Sequence, residues 1–474
     1  MASPMESPVP ALLQRVAHCL RLPGWVQLPR PVRSVSDRPG ASCVRLFAWL
    51  LVCVSPLASA ALPIEHWTTS RGARVYFVRA PSIPMLDVNI DFDAGARHDP
   101  PGKDGLASMT GAMLARGSEG RDEAQIAERL ADLGAIRGGG TDDDRLGVSL
   151  RTLSSADERN AAIELLADLV SRPLFPQALL AREQDRSLQS LRESLTQPAS
   201  IAQRAFYPLL YPNHPYGTLS DAKTIAAITR DDLVAYHRAR FGASGAVISL
   251  VGDITRSDAQ AIAERLTRDL PQGEPAPAMP ALSAPVAAER RIAHPASQSH
   301  ILIGTPLISR GDPDFFPLFV GNYVLGGGGF VSRLTNEVRE KRGLSYSVGS
   351  GFTPLMQPGP FVVSLQTQKA QTDQALAVVR DTLAGFVADG PTEAELTAAK
   401  QNLVGGFALR IDSNGKILGN LALIGWYGLP LDYLDRWTEQ VERVSSAQVR
   451  EAFSRRINPK QLVTVIVGAG ETTP

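Results

Sequence analysis

Ile228-Thr-Arg-Asp-Asp-Leu233 leads into Ala246-Val-Ile-Ser-Leu-Val-Gly252, and 216 residues further on Val444-Ser-Ser-Ala-Gln-Val449 leads into Leu462-Val-Thr-Val-Ile-Val-Gly468. One constant offset superposes both pieces without a gap. The same offset sets Leu180 on Leu396, each in a helical stretch that opens just after a proline, Pro176 and Pro391. A self-match at fixed spacing marks an internal duplication, so each half carries its own strands and helices. Between the copies runs Leu270-Pro-Gln-Gly-Glu-Pro-Ala-Pro-Ala-Met-Pro-Ala-Leu-Ser-Ala-Pro285, which has no helical or strand period and reads as a linker. The expected organisation is residues 61–270 as a first domain, 271–288 as the linker and 289–474 as a second domain.

Outward from the duplicated strands, Arg74-Val-Tyr-Phe-Val78 and Met85-Leu-Asp-Val-Asn-Ile-Asp-Phe92 alternate as strands with one buried face. Leu106–Arg116, Ala124–Leu133, Ala156–Val170 and Gln177–Leu195 repeat apolar residues three and four apart, as helices do. In the second half Ser332–Arg342 opens on a serine cap and closes at Gly343. The pattern predicts an α+β fold of two duplicated domains, each an antiparallel-rich sheet with helices packed on one face.

The chain has 474 residues, 44% hydrophobic and 20% charged, with 48 Lys+Arg against 48 Asp+Glu. That composition excludes a disordered or collagen-like chain, and the balanced charge argues against nucleic acid as a partner. The seven histidines never stand four apart, so no HxxEH, HExxH or HxxxH metal pair can be drawn on one helix. Cys19, Cys43 and Cys53 all lie in the first sixty residues, so no disulfide can form in the remainder. Arg45, the apolar run Leu46–Val54 and Ala58-Ser59-Ala60 form the order of a secretory signal peptide. The apolar run falls short of the ~20 residues of a spanning helix, so a permanent membrane span is not expected. Residues 1–43, rich in proline and arginine, are an odd prelude to a signal sequence and suggest a start codon called too early. Residues 1–60 are thus expected to be a leader with an N-terminal extension, and the remaining chain an exported, periplasmic protein of net charge −4.

Taken alone, Gly105-Leu-Ala-Ser-Met-Thr-Gly-Ala-Met-Leu-Ala-Arg-Gly-Ser118 is a small-residue packing helix. It also resembles the active-site helix of the pitrilysin, insulin-degrading enzyme and mitochondrial processing peptidase family, the inverzincin metallopeptidases, whose frame there reads G-L-A-H-x-x-E-H-M-L-x-x-G-[ST]. Ser108 and Ala112 stand where the two zinc-binding histidines would be, and Gly111 where the glutamate base would be. Glu183 matches a further family glutamate, but Ser190 occupies the position of the last zinc ligand. None of Ser108, Ala112 and Ser190 can replace an imidazole or a carboxylate, and catalytic zinc needs three protein ligands. His214-Pro-Tyr-Gly217, Ile228-Thr229, Asp232-Leu233, Tyr236, Phe241 and Leu250-Val-Gly-Asp253 extend the likeness, which runs from about Thr69 to Gly468.

Ser332-Arg-Leu-Thr-Asn-Glu-Val-Arg-Glu-Lys-Arg-Gly-Leu-Ser-Tyr346 resembles the family's arginine–tyrosine pair, an Arg on a helix and a Tyr seven residues later, which fits Arg339 and Tyr346. The resemblance implies that these two contact the substrate carbonyl and its developing oxyanion. From the residues alone, Tyr346 alternates with Leu344 and Val348 on one strand face, and Arg339 has Glu337 or Glu340 as a surface partner. Gly326-Gly-Gly-Gly329 reads as a flexible turn, since no Gly-Lys-Ser/Thr follows to hold a phosphate. Asp142-Asp143-Asp144 reads as a solvated turn, and His214 as a residue that caps or packs a turn.

The resemblance implies the non-zinc-binding subunit of a heterodimeric zinc metallopeptidase that degrades or processes peptides. This chain would hold no cofactor and would contribute Arg339 and Tyr346. A homologous partner subunit with an intact HxxEH motif would bring the zinc, and extended peptide substrates would add as a strand to a sheet edge. The alternative is a non-enzymatic peptide-binding or assembly protein of the same fold.

Overall fold

Two β-sheets carry the chain, both rich in antiparallel pairs, in a computed structural model that describes residues 63–468. The leader and its Ala58–Ala60 signal lie outside the described residues. The first half supplies β1 (Glu65–Thr68), β2 (Arg74–Arg79), β3 (Met85–Phe92), a small hairpin of β4 (Gly117–Ser118) and β5 (Arg121–Asp122), β6 (Ile136–Thr141), β7 (Leu146–Leu153) and β8 (Val247–Gly252). Its helices are α1 (Leu106–Met113), α2 (Glu123–Asp132), α3 (Ala156–Ser171), α4 (Gln177–Ser194), α5 (Pro198–Leu210), α6 (Ala222–Ala227), α7 (Arg230–Arg240) and α8 (Arg256–Arg268). The second half supplies β9 (Ala288–Ala293), β10 (Gln298–Pro306), β11 (Ser345–Phe352), β12 (Pro360–Gln368) and β13 (Val463–Gly468), with α9 (Phe315–Asn322), α10 (Thr372–Asp389), α11 (Glu393–Gly405), α12 (Asn414–Tyr427), α13 (Trp437–Arg443) and α14 (Ser446–Arg456).

The duplication is visible in the strand order. The first sheet runs β1-β2-β8-β3-β7-β6 and the second β11-β12-β10-β13-β9, so β6, β7, β3, β8 and β2 correspond to β11, β12, β10, β13 and β9. In both, the one parallel pair joins the strand before a crossover to the last strand of the half, β2 to β8 and β9 to β13. The matched helix starts are capped alike: Thr229 and Ser445 each accept from the backbone N–H three residues on and receive a side chain in return.

β8 and β13 are buried along their whole length, which alternation alone does not explain. A strand apolar on both faces needs a layer on each side. Ile248 and Leu250 of β8 join a core with Phe77, Phe92, Leu166 and Phe241, beneath the helices of their own half. On the opposite face Val247 and Val251 pack against Ile417, Leu421 and Ile424 of α12, a helix from the other half. The exchange is reciprocal: α5 of the first half lays Phe206 and Leu210 on Val463, Val465 and Val467 of β13. Each sheet therefore has its own helices on one face and a single borrowed helix on the other.

A polar knot joins the halves. Asp144 is fully buried, and its carboxylate accepts from Tyr216 Oη at 2.6 Å, Tyr427 Oη at 3.0 Å and the Met356 backbone N–H at 2.8 Å. This corrects the expectation of a solvated turn at Asp142–Asp144, because only Asp142 is exposed, where it closes the turn by accepting from the Asp144 and Arg145 backbone. His214 caps its turn, accepting at Nδ1 from Tyr216 N–H at 3.2 Å. The Gly326–Gly329 run is in part helical rather than a plain turn. Tyr323–Gly327 forms a π-helical turn, with Gly326 buried against Ser350.

Candidate functional site

Helix α1 begins at Gly105, whose φ of 102° only glycine adopts readily, and Asp99 holds its first turn by accepting from the Gly105 and Ala107 N–H groups at 2.6 and 2.7 Å. Leu106, Ala107, Met109 and Met113 turn inward, leaving Ser108 and Ala112 exposed and Gly111 half-buried on the opposite side. These three small residues form one wall of a cavity of about 340 Å³, whose other walls are Arg137–Thr141 of β6 and Leu146–Val148 of β7. Ser190 is exposed on α4, the helix packed beside α1, and Glu183 is buried there against Arg116 at 3.1 Å. A hydroxyl, two residues without donors and a second hydroxyl are a donor set that does not fit a catalytic zinc ion. Among the described residues no three His, Cys, Asp or Glu side chains are grouped to hold a metal.

The second set of residues sits at the corresponding edge of the other sheet. Thr335–Glu340 is π-helical, and Arg339 projects from it. Such turns are rare and recur at functional sites. Ahead of the segment Ser332 Oγ accepts from the Thr335 backbone N–H at 3.4 Å, and Gly343, at φ 62°, follows its end. From there the chain enters β11, whose pairing with β12 shifts register between Ser345 and Val348. This bulge re-aims Tyr346. It does not share a face with Leu344 and Val348, as strict alternation predicts: those two are buried, whereas Tyr346 is 82% exposed.

Arg339 and Tyr346 meet. The guanidinium carbon lies 4.8 Å from the centre of the Tyr346 ring and 4.7 Å from that of Phe330, which is itself 71% exposed. Of the two candidate glutamates, Glu340 approaches Arg339 only to 3.5 Å, while Glu337 is taken by Lys341 and Arg342 at 2.6 Å each. A cation between two rings keeps its N–H donors directed outward, and such contacts are worth about 0.5–1 kcal/mol each at exposed sites. The arrangement presents a guanidinium braced between two rings beside an exposed tyrosine. Phe330 was not recognisable as part of this site from spacing; an exposed aromatic beside a glycine run was its only signal. Arg137, inside the α1 cavity, was likewise unmarked.

Residues 74–218 match the family description "Insulinase (Peptidase family M16)", and residues 227–403 match "Peptidase M16 inactive domain". A crystal structure of a peptidase M16 inactive domain from Pseudomonas fluorescens superposes with a TM-score of 0.84 at 38% identity, covering 87% of this chain and 99% of that one. An uncharacterized zinc protease of Rickettsia bellii is 24% identical over 410 residues, 85% of this chain and 98% of the relative. The periplasmic protease PqqL of Escherichia coli shares the fold, with a TM-score of 0.74 at 16% identity over 86% of this chain and 45% of that chain. With α1 stripped of its metal ligands inside an otherwise intact duplicated fold, this chain belongs to the M16 peptidase family, on its inactive-domain side.

Proposed function

We propose that this chain is the non-metal-binding subunit of a two-chain peptidase, whose partner supplies an intact HxxEH motif and the zinc. The observation that carries the reading is the pairing of Arg339 with Tyr346 on an exposed, aromatic-braced platform, in a chain whose α1 has lost every ligand and the base. A surface with no ligand to meet has little reason to hold a cation and a phenol together in the open. Set opposite a partner's reactive centre, the guanidinium would bind the peptide carbonyl, and the Tyr346 phenol would donate to the oxyanion as it forms. Among the described residues β6 and β11 are sheet edges that pair with no further strand, and such edges suit extended peptides, which add as a strand. Export through the segment ending at Ala60, to a periplasmic location, is part of the same reading. Among the described residues no helix is long and apolar enough to cross a membrane.

The test is co-expression with a homologue bearing HxxEH, followed by peptide cleavage assays on the assembled pair. Tyr346→Phe should lower kcat by roughly 10² with KM little changed, because the lost donor acts mainly in the transition state. Arg339→Ala should weaken both binding and turnover. The isolated chain should carry no stoichiometric zinc. Full activity in both variants, with assembly intact by gel filtration, would return the chain to a binding or assembly role.

A further inference from the structure

The cavity left by the missing metal ligands is not empty of charge. Arg137 lines it, and among the described residues its one side-chain hydrogen bond is a long one, 3.3 Å from a terminal guanidinium nitrogen to the Gly111 carbonyl. Its Nε is buried with no partner, and no acidic side chain is among the cavity's lining residues. Its neighbour of like charge, Arg116, is already neutralised by Glu123 and Glu183. Burial, and after it Arg116, pull the Arg137 pKa down from its usual value, as happens to a cation held without a counter-ion. An arginine placed this way has hydrogen-bonding capacity left over, and a carboxylate is the group that matches its planar fork.

The cavity also opens on a free strand edge. β6 pairs with β7 on one side and with no strand on the other among the described residues. Three of its residues, Gly138, Gly139 and Gly140, carry no side chain that would block an incoming strand. Ile136, 66% exposed, begins this edge. A peptide paired to β6 would direct alternate side chains, or its own terminus, to the face where Arg137 points toward α1.

We infer that the degenerate metal cavity is a carboxylate-binding subsite, in which Arg137 takes an acidic group of a peptide added to the β6 edge. The inference rests on the peptide-binding reading above and names what that site selects. Two sources share the chemistry, the peptide's C-terminal carboxylate and a Glu or Asp side chain.

The experiment uses the full chain and a fluorescein-labelled ten-residue peptide of alternating valine and threonine, read by fluorescence anisotropy. Three forms are compared: a free C-terminal acid, a C-terminal amide, and an amide with one central glutamate. The acid-bearing forms should bind wild-type chain roughly ten- to a hundredfold tighter than the plain amide, the range of a charge-assisted pair. Preference for the free acid alone assigns the terminus, and preference for the central glutamate alone assigns the side chain. Arg137→Gln should erase the preference and Arg137→Lys should restore part of it. Equal binding of all three peptides, or a preference that survives Arg137→Gln, overturns the carboxylate subsite and leaves peptide binding standing. Failure of every peptide to bind overturns both.

Discussion

Three adjacent carboxylates, Asp142, Asp143 and Asp144, occupy three environments, and the middle one has the titration that its surroundings dictate. Asp142 is in solvent, and Asp144 is buried among donors. Asp143, between them, is pushed up to about 7 by burial first, then by the charges of Asp144 and Asp142. A carboxyl whose folded pKa lies above its unfolded value keeps its proton in the fold while the unfolded chain has lost it. Its cost is therefore absent below about pH 4, grows between about 4 and 7, and is constant above. Asp143→Asn should stabilise the chain by about 1–2 kcal/mol at pH 8 and hardly at all at pH 4, measured by urea unfolding at both. Asp144→Ala should cost about 1–3 kcal/mol at pH 8, since it leaves the buried Tyr216 hydroxyl and two half-buried donors without their acceptor. The run itself was legible as a turn. Which carboxylate goes inside was not, because that depends on Tyr216 and Tyr427, 72 and 283 positions away. Tyr346 shows the same boundary: its seven-residue spacing from Arg339 is plain in the chain, but its exposure comes from a bulge set by pairing with β12.

Among the elements, the borrowed helices have the sharpest physical requirement. α12 lies close on the first sheet because Gly425 has no side chain: a Cβ there would stand 2.6 Å from a Val247 methyl and 2.7 Å from the Tyr76 ring. Gly425→Ala gains about 1 kcal/mol of helix propensity but forces apart a closed contact, and overpacking costs about 1–3 kcal/mol. The net should be a loss of up to about 2 kcal/mol. Gly419→Ala, on the exposed side of the same helix with nothing within 4 Å, should instead gain up to about 1 kcal/mol. Thermal melts of the two variants, of opposite sign, check the contact. The all-apolar sequences of β8 and β13 already imply that both faces of each sheet are covered. They do not say by what, since a helix's periodicity shows that it has an apolar face and not which sheet receives it. The Ser332–Arg342 helix was legible in its cap and its terminating glycine, whereas the π-helical winding of Thr335–Glu340 reflects packing against β11 and α10.

At the scale of the molecule, the exchange of α5 and α12 makes the two halves depend on one another. The offset of 216 residues that reveals the duplication also maps α5 onto α12, so the exchange keeps the symmetry of the repeat. Each half alone would leave one face of its sheet bare, Val247 and Val251 on one side and Val463, Val465 and Val467 on the other, while its borrowed-out helix would expose Phe206 and Leu210 or Leu421 and Ile424. Burying one such side chain is worth about 1.5–3 kcal/mol, so each half, with four or five of them bared, would lose about as much as the 5–15 kcal/mol that holds a typical domain folded. The Asp144 knot adds to this, because separation strips a buried carboxylate of Met356 and Tyr427 together. Residues 61–270 and 271–474 expressed separately should therefore give no cooperative thermal transition, and the two pieces co-expressed should associate and recover one. The intact chain should unfold in a single step, with the tyrosine and tryptophan fluorescence and the far-ultraviolet circular dichroism changing together. Two sharp and independent melts from the separate halves, each near the intact chain's temperature, would show that the borrowed helices are accessory. They would also mean that the platform of Arg339 and Tyr346 keeps its geometry without the first sheet.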